Sequence, residues 1–254
     1  MISLRQKNKM RLAFSNAASR YEEAAHIQKR IGIKLLNKIR IENNSLCILD
    51  AGMGTGWLAR ELSKTFSKSR VFGFDVADGM IREAKKKGVK AIGADCMWFP
   101  FKRESFDLVI SNLVYQWVAD PKKAFQEVHD SLKTGGSFCA AIFGERTLWE
   151  LFFSLSQADK KFDFKKLPNQ NEIHLALSQS GFKDFHVSSV MEKVPFNGLF
   201  DVIRWLKAIG ANQRNDVFVG KNLLKKADQV YQKNFSDGGK PQITFETIFV
   251  EAKK

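Results

Sequence analysis

A chain of 254 residues, 44% of them hydrophobic, is long enough to bury its own core without disulfide or metal staples. Lys and Arg number 41 against 27 Asp and Glu, a net charge of +14, which favours an acidic partner unless the basic bias is only general. The N-terminus M-I-S-L-R-Q-K-N-K-M lacks an apolar signal core, and there is no apolar run of about 18 residues and no cysteine framework; a cytoplasmic, reducing location without a membrane partner is expected.

In chain order, residues 8–40 read as helix within an N-terminal arm over 1–44, because Ile27, Ile31, Leu35 and Leu36 recur at helical spacing. Tyr21 and Gln28 are seven residues apart, hence on one face, where both would reach a ligand if the arm closes over its mouth. Strands are predicted at about 46–50, 70–75 and 89–94, alternating with helices at about 57–67 and 78–88. A fourth strand follows at about 106–112, then a helix from Asp120 to Leu132, stopped by Lys133-Thr134-Gly135-Gly136. A fifth strand, S-F-C-A-A-I-F-G, leads to Glu145 and Arg146. Helices at about 147–160 and 170–180, a strand at 182–190, helices at 199–209 and 217–234, and a last strand complete the chain. The expected fold is α/β: one doubly wound, mostly parallel, seven-stranded sheet spanning 1–254, with a helical insertion at 195–241 that would serve as lid or substrate module.

The stretch C-I-L-D-A-G-M-G-T-G-W, Cys47 to Trp57, organises the chain. Apolar residues run to Asp50, then Gly52, Gly54 and Gly56 alternate before an amphipathic run. Strand, glycine turn and helix in that order place free N–H groups at the carboxyl end of a parallel strand, where open α/β sheets bind nucleotides. The spacing G-x-G-x-G is one residue tighter than the dinucleotide fingerprint. Two further acids end the next strands: Asp75 stands where a carboxylate bonds ribose hydroxyls, and Asp95 where one accepts from an adenine amine. His26, His129, His174 and His186 have no metal-ligand spacing, so no metal is expected.

This pattern resembles class I S-adenosylmethionine-dependent methyltransferases over roughly the first 145 residues. Further segments narrow the likeness: F-S-N-A-A-S-R-Y with Gln28, S-N-L-V-Y-Q-W-V from Ser111, W-L-K-A-I-G-A-N from Trp205 and G-G-K-P-Q-I-T-F-E-T-I-F. Together they resemble the malonyl-acyl-carrier-protein O-methyltransferases of biotin synthesis, the BioC family. Met53 and Phe245 depart from that family, where Cys and Tyr are usual, and residues 147–200 match loosely. The resemblance implies a carboxyl O-methyltransferase that takes a methyl group from S-adenosyl-L-methionine, releases S-adenosyl-L-homocysteine, and esterifies the free carboxylate of malonyl on an acidic acyl carrier protein. It implies cofactor contacts from Gln28, Asp50, Ala51, Gly52, Gly54, Gly56, Asp75, Val76, Met80, Asp95, Cys96, Asn112 and Gln116, and no metal.

A carboxylate is already a nucleophile at neutral pH, so the protein has mainly to position it, exclude water and meet its charge. Arg146, just past the fifth strand, is the first candidate for that cation; its alternative is pairing with Glu150. Lys207 is a second candidate, and Tyr21 is a hydroxyl donor that would close the site. Arg204, Lys207, Arg214 and Lys221 of the insertion are expected to form part of a basic face for the carrier, acting as a monomer. Three other readings stay open: methylation of another small carboxylate or quinone precursor, arginine modification of the kind carried out by related mitochondrial assembly factors, and a basic nucleic-acid-binding protein. The last lacks a dense basic run with interleaved aromatics.

Overall fold

The computed structural model describes residues 4–41, 45–160, 162, 166–211, 219–236 and 239–254. Seven strands form one sheet in the order β3-β2-β1-β4-β5-β7-β6. The first five are β1 (Cys47–Ala51), β2 (Arg70–Asp75), β3 (Lys90–Gly93), β4 (Phe106–Asn112) and β5 (Leu132–Phe143), all parallel to one another. β6 (Asp184–Pro195) and β7 (Gln242–Lys253) add an antiparallel edge, with β7 inserted between β5 and β6. The doubly wound sheet expected from the sequence is present.

The helices follow from their caps and apolar faces. α1 (Leu4–Ala17), a 3₁₀ turn at Ala18–Arg20, α2 (Tyr21–Ala24) and α3 (His26–Leu36) make the arm. α4 (Trp57–Thr65) and α5 (Asp78–Lys86) cross over between the first strands. α6 (Pro121–Ser131) starts with Asp120 accepting from the Lys123 N–H and with Pro121 in its first turn. α7 is Trp149–Ala158; α8 (Gln170–Ser178) carries a reciprocal capping box between Asn169 and Glu172. α9 (Leu199–Ala208) and α10 (Lys221–Phe235) lie between β6 and β7.

Both faces of the sheet are covered, which is why the central strands read as unbroken apolar runs. Ile48, Leu108, Ile110 and Cys139 pack against Ile31 and Leu35 of α3 and Leu58 of α4. Their strand neighbours Leu49, Val109 and Ala140 point the other way, into Phe125 and Val128 of α6 and Leu177 of α8.

Three boundaries differ from expectation. The arm is not one helix: it breaks at Ala18–Arg20 and again at Ala25, whose backbone (φ −83°, ψ 32°) leaves the helical region. β5 begins at Leu132, inside the predicted helix stop: β4 pairs Phe106 with Leu132 and then Leu108 with Ser137, so Lys133–Gly136 is accommodated as an irregularity in the strand. β6 runs on to Pro195, because twelve residues of β7 pair along it. Residues 217–218 of the predicted helix, Asn43-Asn44, parts of the 1–44 arm and of the 195–241 insertion, and Arg214 lie outside the described residues.

Candidate active site

The carboxyl ends of β1, β2 and β4 converge beneath the arm. The turn after β1 is held at its start, where Gly52 and Met53 both donate to the Phe74 carbonyl at 2.9 Å. Gly52 has φ +74°, and a Cβ there would overlap the Val114 side chain; only glycine serves both demands. Gly54 has φ +56° and open space above it, so the turn presents bare backbone to the cleft. Met53, the departure from the family pattern, is buried and lies across Gly73 of β2.

Two hollows border this turn and a third adjoins them across the arm. The first, of about 310 Å³, is lined by Asp75, Val76, Asp95, Cys96 and Gly52, with Lys7 and Met10 from α1 and Trp117 on the opposite wall. The Asp75 carboxylate is fixed by two backbone donors, Gly54 N–H at 2.9 Å and Ala77 N–H at 2.8 Å. Burial nevertheless raises its pKa. Asp95 accepts from the Met97 N–H at 3.0 Å and forms an ion pair with Lys7. Burial pushes the Cys96 thiol up, with Asp95 and Asp75 adding to the rise, so it stays protonated.

The second hollow lies on the other side of the turn. Tyr21, Gln28, Asp50, Gly54, Thr55 and Asn112 line it. Gln28 Oε1, Asp50 Oδ2 and Asn112 Oδ1 are buried there without a hydrogen-bond partner in the protein. Three buried acceptors thus converge on one small space, an arrangement able to receive a group rich in hydrogen-bond donors. Asp50 is 1% exposed, and burial, reinforced by Asp75, pushes its carboxyl up to about 8. Ala51 contributes its carbonyl to the Ser111 hydroxyl at 2.7 Å, and Asn112 Nδ2 donates to the Gln28 carbonyl at 3.0 Å, tying β4 to the arm.

The third hollow is apolar. Phe14, Tyr21, Gln28, Gln116, Trp117 and Phe245 line it together with Thr147, Leu148, Trp205 and Leu206. Tyr21 and Gln28 belong to the second and third hollows alike, so the arm forms the wall between them. Burial, with Asp75 and Glu22 adding to it, drives the Tyr21 pKa far above its ordinary value, so the hydroxyl is a donor and never a base near neutrality. Gln116 is held by its Nε2 donating to the Leu113 carbonyl at 2.7 Å. Phe245 sits edge-on to Trp205, ring centroids 5.5 Å apart, leaving that wall without a hydroxyl.

Of the predicted residues, Ala51 and Gly56 frame the turn without lining a hollow, Gly56 being packed against Val89 and Ala84, and three more stand elsewhere. Met80 lines none of these hollows; it is buried with Ala18 and Ala77, where it seats the arm on α5. Lys207 is exposed: it follows Trp205 by two positions on α9, which turns it to the opposite side of the helix. Arg146 is exposed and opens on a separate outer depression, its Nη1 3.8 Å from Met191 Sδ. Glu150 is not its partner; buried, that carboxylate accepts from the Thr244 N–H at 2.9 Å and from the Thr244 hydroxyl. Of the basic face, Arg204 is paired with Asp201 at 2.9 Å, and Lys221 is exposed at the start of α10.

A cluster centred on Glu22 carried no sequence signal, because its members are distant in the chain. Glu22 accepts from Thr55 Oγ1 at 2.7 Å, Arg60 Nη2 at 3.1 Å and Lys87 Nζ at 2.6 Å. Burial alone would raise this carboxyl, but the hydrogen bonds from Lys87, Thr55 and Arg60 hold it down at about 2. The arm is thereby pinned to the helix that follows the glycine turn.

The model of a family described as "Methyltransferase domain" matches residues 49–140, the stretch that supplies the strand-end side of the first two hollows, the arm supplying the rest. The malonyl-[acyl-carrier protein] O-methyltransferase of Gallionella capsiferriformans is 30% identical over 98% of this chain and 91% of its own length. The chain belongs to the malonyl-[acyl-carrier protein] O-methyltransferase family. The Nitrosospira multiformis member is also 30% identical, over 98% of this chain and 89% of its own. Among solved structures, the YcgJ protein of Bacillus subtilis aligns with a TM-score of 0.61 at 16% identity, covering 88% of this chain and 97% of that one. Phosphoethanolamine N-methyltransferase 2 of Haemonchus contortus, solved with S-adenosyl-L-methionine, aligns at 0.61 and 20% identity, over 94% of this chain and 57% of that one. These two likenesses carry the fold. As a member of the malonyl-[acyl-carrier protein] O-methyltransferase family the chain is a methyltransferase, and its methyl donor is S-adenosylmethionine. Among the described residues there is no group of side chains arranged to hold a metal ion, and no helix long and apolar enough to cross a membrane.

The raised Asp50 carboxyl gives a stability prediction with a definite sign. Its folded value of about 8 lies above its unfolded one, so its protonated form stabilises the folded chain at low pH, and that contribution is lost as pH rises toward 8. Asp50→Asn, which cannot ionise, should therefore gain on the parent in folding stability from pH 5 to 8, by at most about 1.4 kcal/mol per pH unit, read as a growing lead in melting temperature that stays constant above that. Parallel melting curves at pH 5 and 8 would show that the carboxyl is not raised.

Proposed function

We propose that this enzyme transfers a methyl group from S-adenosylmethionine to the free carboxylate of a malonyl thioester on an acyl carrier protein, in the early steps of biotin synthesis. The observation that carries the reading is the apolar hollow sharing Tyr21 and Gln28 with the polar one. Asp75 and Asp95 in the first hollow fit the ribose and adenine of the cofactor, and Asp50, Asn112 and Gln28 in the second fit its cationic amino-acid end. Gly52 and Gly54 complete that cofactor assignment as the turn, framed by Ala51 and Gly56, whereas Gln116 lies with the acceptor hollow. When bound, S-adenosylmethionine supplies an electrophilic methyl group.

The protein's part is then positioning. Phe14, Trp117, Trp205 and Phe245 keep water from the acceptor, which strengthens every charge interaction inside. Burying a carboxylate there requires donors. The Tyr21 hydroxyl and the Gln28 amide are the donors at the boundary of the two hollows, and Tyr21 stays protonated throughout the working range. No base is needed, because the acceptor carboxylate carries its own lone pair. The exposed placement of Lys207 and the outward opening of Arg146 favour Tyr21 over either as the group that meets the carboxylate. Tyr21→Phe should lower kcat about tenfold, the scale of one hydrogen bond to a charged group, with cofactor affinity within about twofold of the parent. Unchanged steady-state kinetics would remove the hydroxyl from the mechanism.

The test of the whole reading is methyl transfer followed by mass spectrometry, with malonyl-carrier protein, malonyl-coenzyme A and acetyl-carrier protein as separate acceptors. Methylation of the malonyl thioesters alone is expected. The net charge of +14 predicts that transfer to the carrier-bound acceptor is fastest and weakens with added salt. Cofactor binding without transfer to any malonyl thioester would refute the substrate assignment.

A further inference from the structure

The outer depression beside the apolar hollow has no part in the chemistry above. It encloses about 770 Å³ and brings together Arg146, Lys166 and Lys193, with Trp149 and Met191 as its apolar floor. Among the described residues that line it, Glu145 is the one acid beside Arg146 and Lys193. The second nearby acid is already engaged: Glu246 accepts from the Arg146 N–H at 2.9 Å and from the Ser189 hydroxyl at 2.9 Å. The guanidinium of Arg146 is left to the hollow, where its recorded contact is a thioether.

The placement is set by the strands. Met191 and Lys193 are two apart on β6, hence on one face, and pair across to Glu246 and Thr244 of β7. Thr244 accepts from Trp149 Nε1 at 3.2 Å, which fixes the indole while leaving it 42% exposed. Trp149 is also the first residue of α7, whose positive end therefore lies at the depression. The result is a rigid aromatic surface rimmed by cations.

The depression and the apolar hollow stand back to back. In the loop after β5, Thr147 and Leu148 line the inner hollow while Arg146 and Trp149 line the outer one. The same alternation recurs where Leu167 faces inward and Lys166 outward. A ligand with an acyl end in the inner hollow and an anionic end some distance along a flexible arm can lie across this wall. We infer that the depression formed by Arg146 and Lys193 beside Trp149 is a subsite for the phosphodiester at the outer end of the pantetheine arm that presents the acyl thioester. The inference rests on the thioester reading given under the proposed function. Guanidinium and ammonium groups recognise phosphate oxygens through short, charge-assisted bonds, and the indole face suits the gem-dimethyl portion of the arm.

The test is calorimetric binding of 4′-phosphopantetheine and of pantetheine, which differ by the phosphate alone, to the protein loaded with S-adenosylhomocysteine. The parent should bind the phosphorylated compound at least about tenfold more tightly, the scale of one charge-assisted hydrogen bond. Lys193→Glu and Arg146→Gln, both exposed positions, should each shrink that preference several-fold and together abolish it, with pantetheine affinity unchanged. Equal affinity of the parent for the two compounds, no detectable binding of 4′-phosphopantetheine, or a preference that survives the double variant would each overturn the subsite. A phosphate preference in a protein that methylates no malonyl thioester would keep the subsite and remove the malonyl assignment. Malonyl-coenzyme A and malonyl-carrier protein, run with the double variant, separate the two natural sources of that phosphate: both should lose kcat/KM if the arm alone is recognised, and the carrier should lose more if its surface docks here as well.

Discussion

Gly79→Ala should reduce kcat/KM by about 100-fold or more while the α/β core stays folded. Gly79 lies in α5, and a Cβ there would overlap the Ser15 carbonyl oxygen and come within 2.6 Å of Ser15 Cα. Those are backbone atoms of the arm, which cannot rotate away as a side-chain tip can. The Gly79 N–H also donates to Ser15 Oγ at 3.2 Å, so the helices meet with nothing between them. On its other side the same part of the arm rests on Gly210, where a Cβ would lie 2.9 Å from the Ala13 carbonyl. One methyl group at residue 79 therefore lifts the arm from its seat. The arm supplies Lys7 and Met10 to the first hollow, Glu22 and Gln28 to the second, and Phe14 and Tyr21 to the third. All three walls open together. Intrinsic helix propensity acts the other way, since Ala favours α5 by about 1 kcal/mol over Gly. A drop in activity with a nearly unchanged melting temperature is the signature of the seat, and full activity in Gly79→Ala would show that the arm does not need this contact.

The contrast between what the sequence revealed and what it hid has a physical basis. Strands β1, β4 and β5 were legible because both faces are buried, so every residue from Ile48 to Ala51 is apolar or ends in a carboxylate. Asp75 was legible because a strand's end fixes where its last side chain stands, and Asp95 because it follows the end of β3 by only two residues. Side-chain direction on a loop has no such period. Arg146 follows β5 as expected, yet the backbone of that loop sends Thr147 inward and Arg146 outward. Lys207 was decidable in principle, since Trp205 and Ile209 mark the buried side of α9 and Lys207 falls midway between them. The Glu22 cluster and the Lys7–Asp95 pair were not decidable, because each joins residues that only the folded arm brings together. The arm's breaks at Ala18 and Ala25 were equally silent: neither position carries the glycine or proline that announces a helix end.

Asp75→Ala should weaken S-adenosylhomocysteine binding by at least about 100-fold, measured by calorimetry. The carboxylate has two duties at once. It holds the Gly54 and Ala77 N–H groups, which fixes the glycine turn and the start of α5. It also faces the first hollow, where it is placed to accept from the ligand's hydroxyls. Truncation strands both backbone donors and removes that acceptor; each hydrogen bond to a charged group contributes about 1.5–3 kcal/mol, so two of them account for the predicted loss. Asp75→Asn keeps one acceptor oxygen and should fall between parent and Ala. A second readout separates this account from simple unfolding. The Asp75 charge helps to hold the Asp50 carboxyl up, so its removal should lower the pH at which the Asp50→Asn melting advantage levels off. If Asp75→Ala binds the ligand as the parent does, the acid serves the turn alone. If binding is lost but the Asp50 titration stays where it was, the two carboxyls are not coupled, and burial alone accounts for the Asp50 shift.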